Sequence, residues 1–198
     1  MATTTPVDKR RLLLGAATKV FAERGYHDCR VGDIAAEAGV AYGLLYHYFS
    51  SKEEVLHTIF RETWTQMLDT IHGIESAGGR SRDQVRRVAA VVLGSWKANP
   101  ELIRLLVREV ARGPRLEQEI QEIRLAFDAL ERIISRGVAS GEFRPDLHPR
   151  VASWALYGAL EEVLTGWVMG QPPETPEDVA VAVDTVVTVL CDGLVSPL

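Results

Sequence analysis

The sequence predicts an all-α protein of about nine helices, a small N-terminal three-helix module followed by a larger helical body. Three observations predict it. Apolar residues recur at three- and four-residue spacing along nearly the whole chain, and no run alternates as a half-buried strand does. Glycine, proline and short capping motifs punctuate those runs where helices should start and stop. With 198 residues the chain can bury a sizeable core, or join a small module to a larger one.

The first helix is expected from about Asp8 to Arg24, on a stripe of Leu12, Ala16 and Val20 with Leu13, Ala17 and Phe21 beside it. Gly25 ends it as a C-terminal cap. Two short helices follow, near 31–38 and 42–48, with Gly39 between them. A long helix opens at Ser51, where Ser51-Lys52-Glu53-Glu54 fits a capping box, and runs to about His72. Ala77-Gly78-Gly79 is a loop, and Ser81 with Gln84 reads as a second capping box starting a helix to about Asn99. Pro100 resets the chain, and the next helix ends near Gly113. From Pro114 a long helix should bury Leu116, Ile120, Ile123, Phe127, Leu130, Ile134 and Val138, closing at Gly141. Pro149 and Pro176 stand where the last two helices should begin, and Thr175 with Asp178 caps the final one.

Composition excludes several classes. No apolar run approaches the roughly 20 residues that a membrane span requires. The basic N-terminus, MATTTPVDKRRLLL, breaks at once into Gly15, Thr18 and Lys19, which argues against a signal peptide. Cys29 and Cys191 stand alone, so neither a disulfide framework nor a zinc site is expected, and a reducing cytoplasm is the expected location. The net charge of −5 is unevenly distributed: residues 1–60 carry seven Lys/Arg against seven Asp/Glu, so the deficit lies wholly in the body. A neutral module can still bind DNA if its cations share a face.

The stretch Val31 to Leu56, VGDIAAEAGVAYGLLYHYFSSKEEVL, carries the function. Ile34 and Ala35 should face inward, Gly39 should supply a left-handed turn, and Val40 should plug it. Leu44, Leu45 and Phe49 should anchor a second short helix. Two short helices at a sharp angle about a glycine form a helix-turn-helix, whose second helix enters the major groove. The outward face, Ala41, Tyr42, Gly43, Tyr46 and His47, is then free for DNA. Gly43 would let the backbone approach another surface closely.

The pattern Asp33-Ile34-Ala35, Ala38-Gly39-Val40, Leu45-Tyr46-His47-Tyr48-Phe49, Ser51-Lys52-Glu53 resembles the signature of the tetracycline-repressor (TetR) family over about residues 8–60. The resemblance implies a dimeric transcriptional regulator, most often a repressor, bound to a palindromic double-stranded DNA operator. It implies a DNA-binding domain at 1–51 and a ligand-binding and dimerisation domain at 52–198. It further implies that Tyr46 and His47 contact phosphates, that Lys52 contacts a phosphate or a nearby base edge, and that Tyr42 and Gly43 touch bases. The family usually has Ser or Thr where Arg30 stands; the cap is lost, and the charge is expected to meet a phosphate instead. Ala41, Tyr42 and Leu44 replace more polar residues, so specificity should rest partly on thymine methyls and DNA shape. Tyr48 and Phe49 also read as core aromatics. His47 fits an ordinary solvated position as well, and Lys9-Arg10-Arg11 reads either as a solvated helix end or as a DNA-contacting arm.

In the body, the stripe Val179, Val183, Val186, Leu190 and Leu194, with Ala155, Gly158 and Ala159 on the preceding helix, is the expected homodimer interface. The effector is expected to be a hydrophobic small molecule, with an acyl thioester or fatty acid as the specific candidate. Its expected contacts are Trp64, Met67, Trp96, Arg108, Phe127 and Tyr157. No cofactor or metal is expected. An enzyme finds no support in the inventory, because no HExxH, GxSxG, phosphate loop or ExxH motif is present. The remaining rival is a helical interaction protein that has lost DNA binding, favoured by the missing polar residues at 41, 42 and 44.

Overall fold

The computed structural model describes residues 6–110 and 121–193, and among these there are nine helices and no strand. They are α1 Pro6–Arg24, α2 Val31–Glu37, α3 Gly43–Tyr48, α4 Lys52–Ser76, α5 Ser81–Ala98, α6 Pro100–Val110, α7 Gln121–Ala139, α8 Pro149–Val168 and α9 Pro176–Asp192. The expected helical residues 114–120, with Leu116 and Ile120, lie outside the described residues, as does Leu194. The chain forms two compact units. One comprises 6–63 with 101–110, the other 64–100 with 121–193, so α4 supplies residues to both.

In the first unit Ala16 and Val20 of the predicted α1 stripe are buried but Leu12 is 47% exposed; the buried face turns towards Leu13, Ala17 and Phe21, the first two fully buried and the third nearly so. Ile34 and Ala35 of α2, Leu45 of α3, and Val55 and Phe60 of α4 are also buried. Thr18 donates its hydroxyl to the Leu14 carbonyl at 2.9 Å, which removes the cost of burying it within α1.

The second unit centres on α5, which packs against α7, α8 and α9. Its start departs from expectation. Ser81 and Gln84 do not form a capping box: Ser81 Oγ donates to the Ile133 carbonyl (2.9 Å), and the backbone amides of Ser81 and Arg82 donate to Glu142 (2.8 and 3.0 Å). Sequence distance hid this cap, since Glu142 lies 61 positions from Ser81. Gln84 is fully buried instead, and its amide donates to the carbonyls of Ile74, Glu75 and Gly78. Those bonds satisfy carbonyls at the end of α4, which therefore extends past Gly73 to Ser76 rather than ending at His72. The buried stripe of α7 is also rotated from the predicted one. Ile123, Leu130 and Ile134 are buried with Ala126, Ala129, Ile133 and Gly137, whereas Phe127 and Val138 are half-buried. The small residues permit close approach, so the stripe is centred on alanine and glycine as much as on the large side chains.

The cap of α9 is as predicted: Thr175 accepts from the Asp178 amide, and the Asp178 carboxylate accepts from the Thr175 amide (2.8 Å) and that of Glu174 (3.0 Å). The interface stripe needs correction. Val183 and Val186 are buried within the chain, and Val179 and Leu190 are half-buried. The apolar residues left open are Val181 (64%) and Val189 (69%) on α9, with Val151 and Trp154 on α8. Valines occur on both faces of α9, so a stripe chosen by spacing alone selected the intramolecular one. A helix apolar on two faces requires two partners. Among the described residues no helix is long and apolar enough to cross a membrane.

Two residues yield predictions. A Cβ at Gly137 would lie 2.3 Å from the buried Phe143 ring and 2.9 Å from Ser81 Cβ. Gly137→Ala should therefore destabilise the protein by about 1–3 kcal/mol, read as a lowered midpoint in urea. Glu75 accepts two hydrogen bonds from Arg132 (both 2.8 Å) and one from Arg136 (3.1 Å), and these hold its carboxyl down to about 2. Its folded value lies below the ordinary 4.5, so its stabilisation is present above that pH and fades as pH falls towards 2. With both arginines half exposed, Glu75→Gln should cost about 1 kcal/mol at neutral pH. Urea titrations of the two proteins should converge as the buffer is acidified below pH 4.5.

Candidate DNA interface and effector cluster

The turn between α2 and α3 is built as the sequence requires. Val40 donates its amide to the Ala35 carbonyl (3.0 Å) and Gly39 to Ala36 (3.1 Å), the paired bonds of a Schellman motif. That motif places its glycine in the left-handed region, and Gly39 has φ +64°. The helix that follows has only six residues and buries one of them, Leu45; Phe49 is buried just beyond its end, and Leu44 and Tyr48 are half-buried. The other side of this segment is open: Ala41, Tyr42, Gly43, Tyr46 and His47 are all exposed. Tyr42 and Tyr46 stand one turn apart with hydroxyls 3.3 Å from each other and rings in edge contact at 5.6 Å. His47 meets the Tyr48 ring edge-on at 5.0 Å.

Gly43 is instructive because nothing inside the chain demands it. Its φ is not positive, and a Cβ there would meet no atom within 4 Å. Glycine in a helix costs about 1 kcal/mol relative to alanine. An exposed glycine here leaves the backbone open to close approach by another surface.

The cations flanking this face behave differently from one another. Arg30 precedes α2 and its side chain caps nothing; Asp33 holds that helix start, accepting from the Arg30 amide (2.7 Å) and from Arg24 (2.8 Å), bonds that lower its carboxyl from the ordinary value. The Arg30 guanidinium is exposed. Lys52, the first residue of α4, is partly committed: its ammonium donates to the carbonyls of Tyr26 (2.6 Å) and Cys29 (2.9 Å) and lies 4.4 Å from the Tyr26 ring centre. An ammonium has three donors, and these carbonyls take two of them. Ser51 caps the Glu54 amide (3.1 Å), while the Glu54 carboxylate turns back to the amide and hydroxyl of Ser50, which lowers it. The expected capping box is thus displaced by one residue on one side. Arg10 pairs with Glu62 (2.6 Å) and lies over the Phe49 ring, so it is held against the unit rather than extended as an arm. Cys29 and Cys191 are buried, which pushes both thiols up and away from the reactive thiolate.

The expected effector residues separate into groups. In the second unit Trp64 of α4, Phe127 of α7 and Tyr157 of α8 form one aromatic cluster, with ring centres 6.2 Å apart for Trp64–Tyr157 and 5.0 Å for Phe127–Tyr157. Met67 is half-buried one turn along α4 from Trp64. Trp96 is buried and pairs instead with Trp167 at 6.0 Å. Trp167 of α8 is not among the expected contacts, since nothing in its own segment indicates this partner. Arg108 belongs to the first unit, where its guanidinium donates to the Ala22 carbonyl at 2.8 Å.

A short, outward-facing helix set by a glycine turn is the helix-turn-helix arrangement of DNA-binding proteins. Residues 13–59 match the model described as bacterial regulatory proteins, tetR family, and residues 82–186 match the tetracyclin repressor-like C-terminal domain. The chain belongs to the tetR family of transcriptional regulators. It is 28% identical over 184 residues to the fatty acid metabolism regulator protein of Bacillus subtilis, covering 92% of this chain and 93% of that one. It is 29% identical to the transcriptional repressor KstR2 of Rhodococcus jostii over 96% of this chain and 92% of that protein. The structure of the regulator FadR from Bacillus subtilis in complex with stearoyl-CoA superposes with a TM-score of 0.81 at 28% identity, covering 93% and 98% of the two chains.

Gly43→Ala should leave the fold as stable or raise it by up to about 1 kcal/mol, yet weaken operator binding about tenfold or more. Thermal melts and fluorescence anisotropy on labelled duplex measure the two effects separately.

Proposed function

We propose that the protein is a homodimeric repressor that binds a palindromic operator and is released by a long-chain acyl thioester. The observation that carries this reading is the likeness, over nearly the full chain, to a regulator whose structure holds stearoyl-CoA. Three aromatic side chains converging from three helices of the second unit support it. DNA reading is assigned to residues 1–51, and effector binding and dimerisation to 52–198. Ala41, Tyr42 and Gly43 face base edges, Tyr46, His47 and Arg30 face phosphates, and Lys52 adds its remaining donor. Trp64, Met67, Phe127 and Tyr157 are assigned to the effector, with Trp96 beyond them; the bond from Arg108 to Ala22 favours a structural part for that residue. Val181 and Val189 with Val151 and Trp154 form the face that a second copy would cover. The protein acts in the cytoplasm and has no catalytic step of its own.

Ligand binding at the aromatic cluster would displace α4 at Trp64, and α4 continues without a break to Lys52. The effector must bind the released conformation more tightly for this to drive release. Selection of bound DNA from a random pool tests the DNA half. Wild type should enrich a palindrome whose half-sites lie about one helical turn (roughly 34 Å) apart, and the double variant Tyr46→Ala/His47→Ala should weaken or lose that enrichment. Failure of wild type to enrich any sequence at low salt would leave the helical interaction protein as the better reading.

A further inference from the structure

Buried polar groups in proteins are almost always paired, because an orphaned donor has given up its water without a replacement. The indole nitrogen of Trp64 is such a group. Its Nε1–H is buried and donates to no acceptor among the described residues. The ring sits in the aromatic cluster, tilted 36° to Tyr157, which in turn meets Phe127 edge-on. Leu68 is buried one turn further along α4.

We propose that the Trp64 indole N–H is the polar anchor of the effector site, donating a hydrogen bond to the thioester carbonyl oxygen of an acyl-CoA. This deepens the effector reading above and rests on it. Indole N–H is a donor only, so its partner must be an acceptor. Trp64, Phe127, Tyr157 and Met67 bring no cation to the spot. A carboxylate placed there would lose hydration and gain no countercharge from these four side chains, whereas a neutral carbonyl gives up far less. A long-chain acyl thioester combines one neutral carbonyl with an alkyl chain suited to aromatic surroundings, and keeps its charged nucleotide at the far end. The assignment therefore distinguishes between two sources of the same alkyl chain, the thioester and the free fatty acid. It selects the thioester.

The test uses two CoA ligands of equal chain length: stearoyl-CoA, and the S-octadecyl thioether, which lacks the carbonyl oxygen. Calorimetric titration of wild type should show the thioester bound about tenfold more tightly, the worth of one hydrogen bond of about 1.4 kcal/mol. Trp64→Phe should bind the thioether as wild type does and show no preference between the two. Equal affinity of wild type for both ligands, or a Trp64→Phe variant that loses both alike, overturns the assignment. Binding of neither ligand by wild type overturns the acyl reading, and the anchor with it. Should Trp64→Phe not fold by circular dichroism, wild type labelled with 15N-tryptophan gives the same answer. The sequence has four tryptophans, so substituting the other three in turn identifies the Trp64 signal. Its indole proton should move downfield with the thioester and not with the thioether; an equal response to both rejects the proposal.

Discussion

A helix of six residues cannot hold itself together in water, since its nucleation cost exceeds what so few hydrogen bonds return. The outward face of α3 therefore exists only because its other side is fixed from outside. Leu45, fully buried, and Phe49, immediately after, are the two anchors, and the Schellman turn at Gly39 sets the angle at which α3 leaves α2. So economical an anchoring leaves five consecutive or near-consecutive positions, 41, 42, 43, 46 and 47, with no internal work. The same economy explains the bare backbone at Gly43 and the two tyrosines that support each other through their hydroxyls rather than through a core.

The second unit is held by a different device, a set of polar side chains that join elements distant in sequence. Gln84 closes the end of α4, Arg136 donates to both Gln84 and Glu75, Arg132 grips Glu75, and Glu142 caps α5. Each bond satisfies a backbone or charged group that would otherwise be costly to cover. The result fixes the ends of α4, α5 and α7 around a core in which Gly137 leaves no room for a Cβ beside Phe143 and Ser81. The middle of α4, where Trp64 stands, takes no part in that set.

Much of this was legible in the sequence. The helix count, the glycine turn, the α9 cap and the exposed face of α3 all follow from short-range rules of spacing and capping, and those rules act within a few residues. What could not be read depends on distant neighbours. The true cap of α5 comes from Glu142, so Ser81 and Gln84 imitated a capping box while serving other ends. The valine stripe of α9 has two faces, and spacing cannot tell which one is covered by α5. Trp96 and Trp167 pair across helices, and Arg108 falls in a different unit from the aromatic residues with which composition had grouped it. Lys52 lay where a phosphate contact was expected, but nothing in its own segment announced the carbonyls of Tyr26 and Cys29 that take two of its protons.

The two units share α4, whose Lys52 end is bound into the DNA-reading head and whose Trp64 lies in the aromatic cluster. That continuity is the route by which the proposed effector would act on DNA binding. The most direct test is operator affinity measured by anisotropy with and without saturating stearoyl-CoA, with CoA alone as the control. The account predicts that stearoyl-CoA weakens binding at least tenfold while CoA leaves it unchanged. Unchanged operator affinity in protein shown by calorimetry to be saturated with stearoyl-CoA would contradict it.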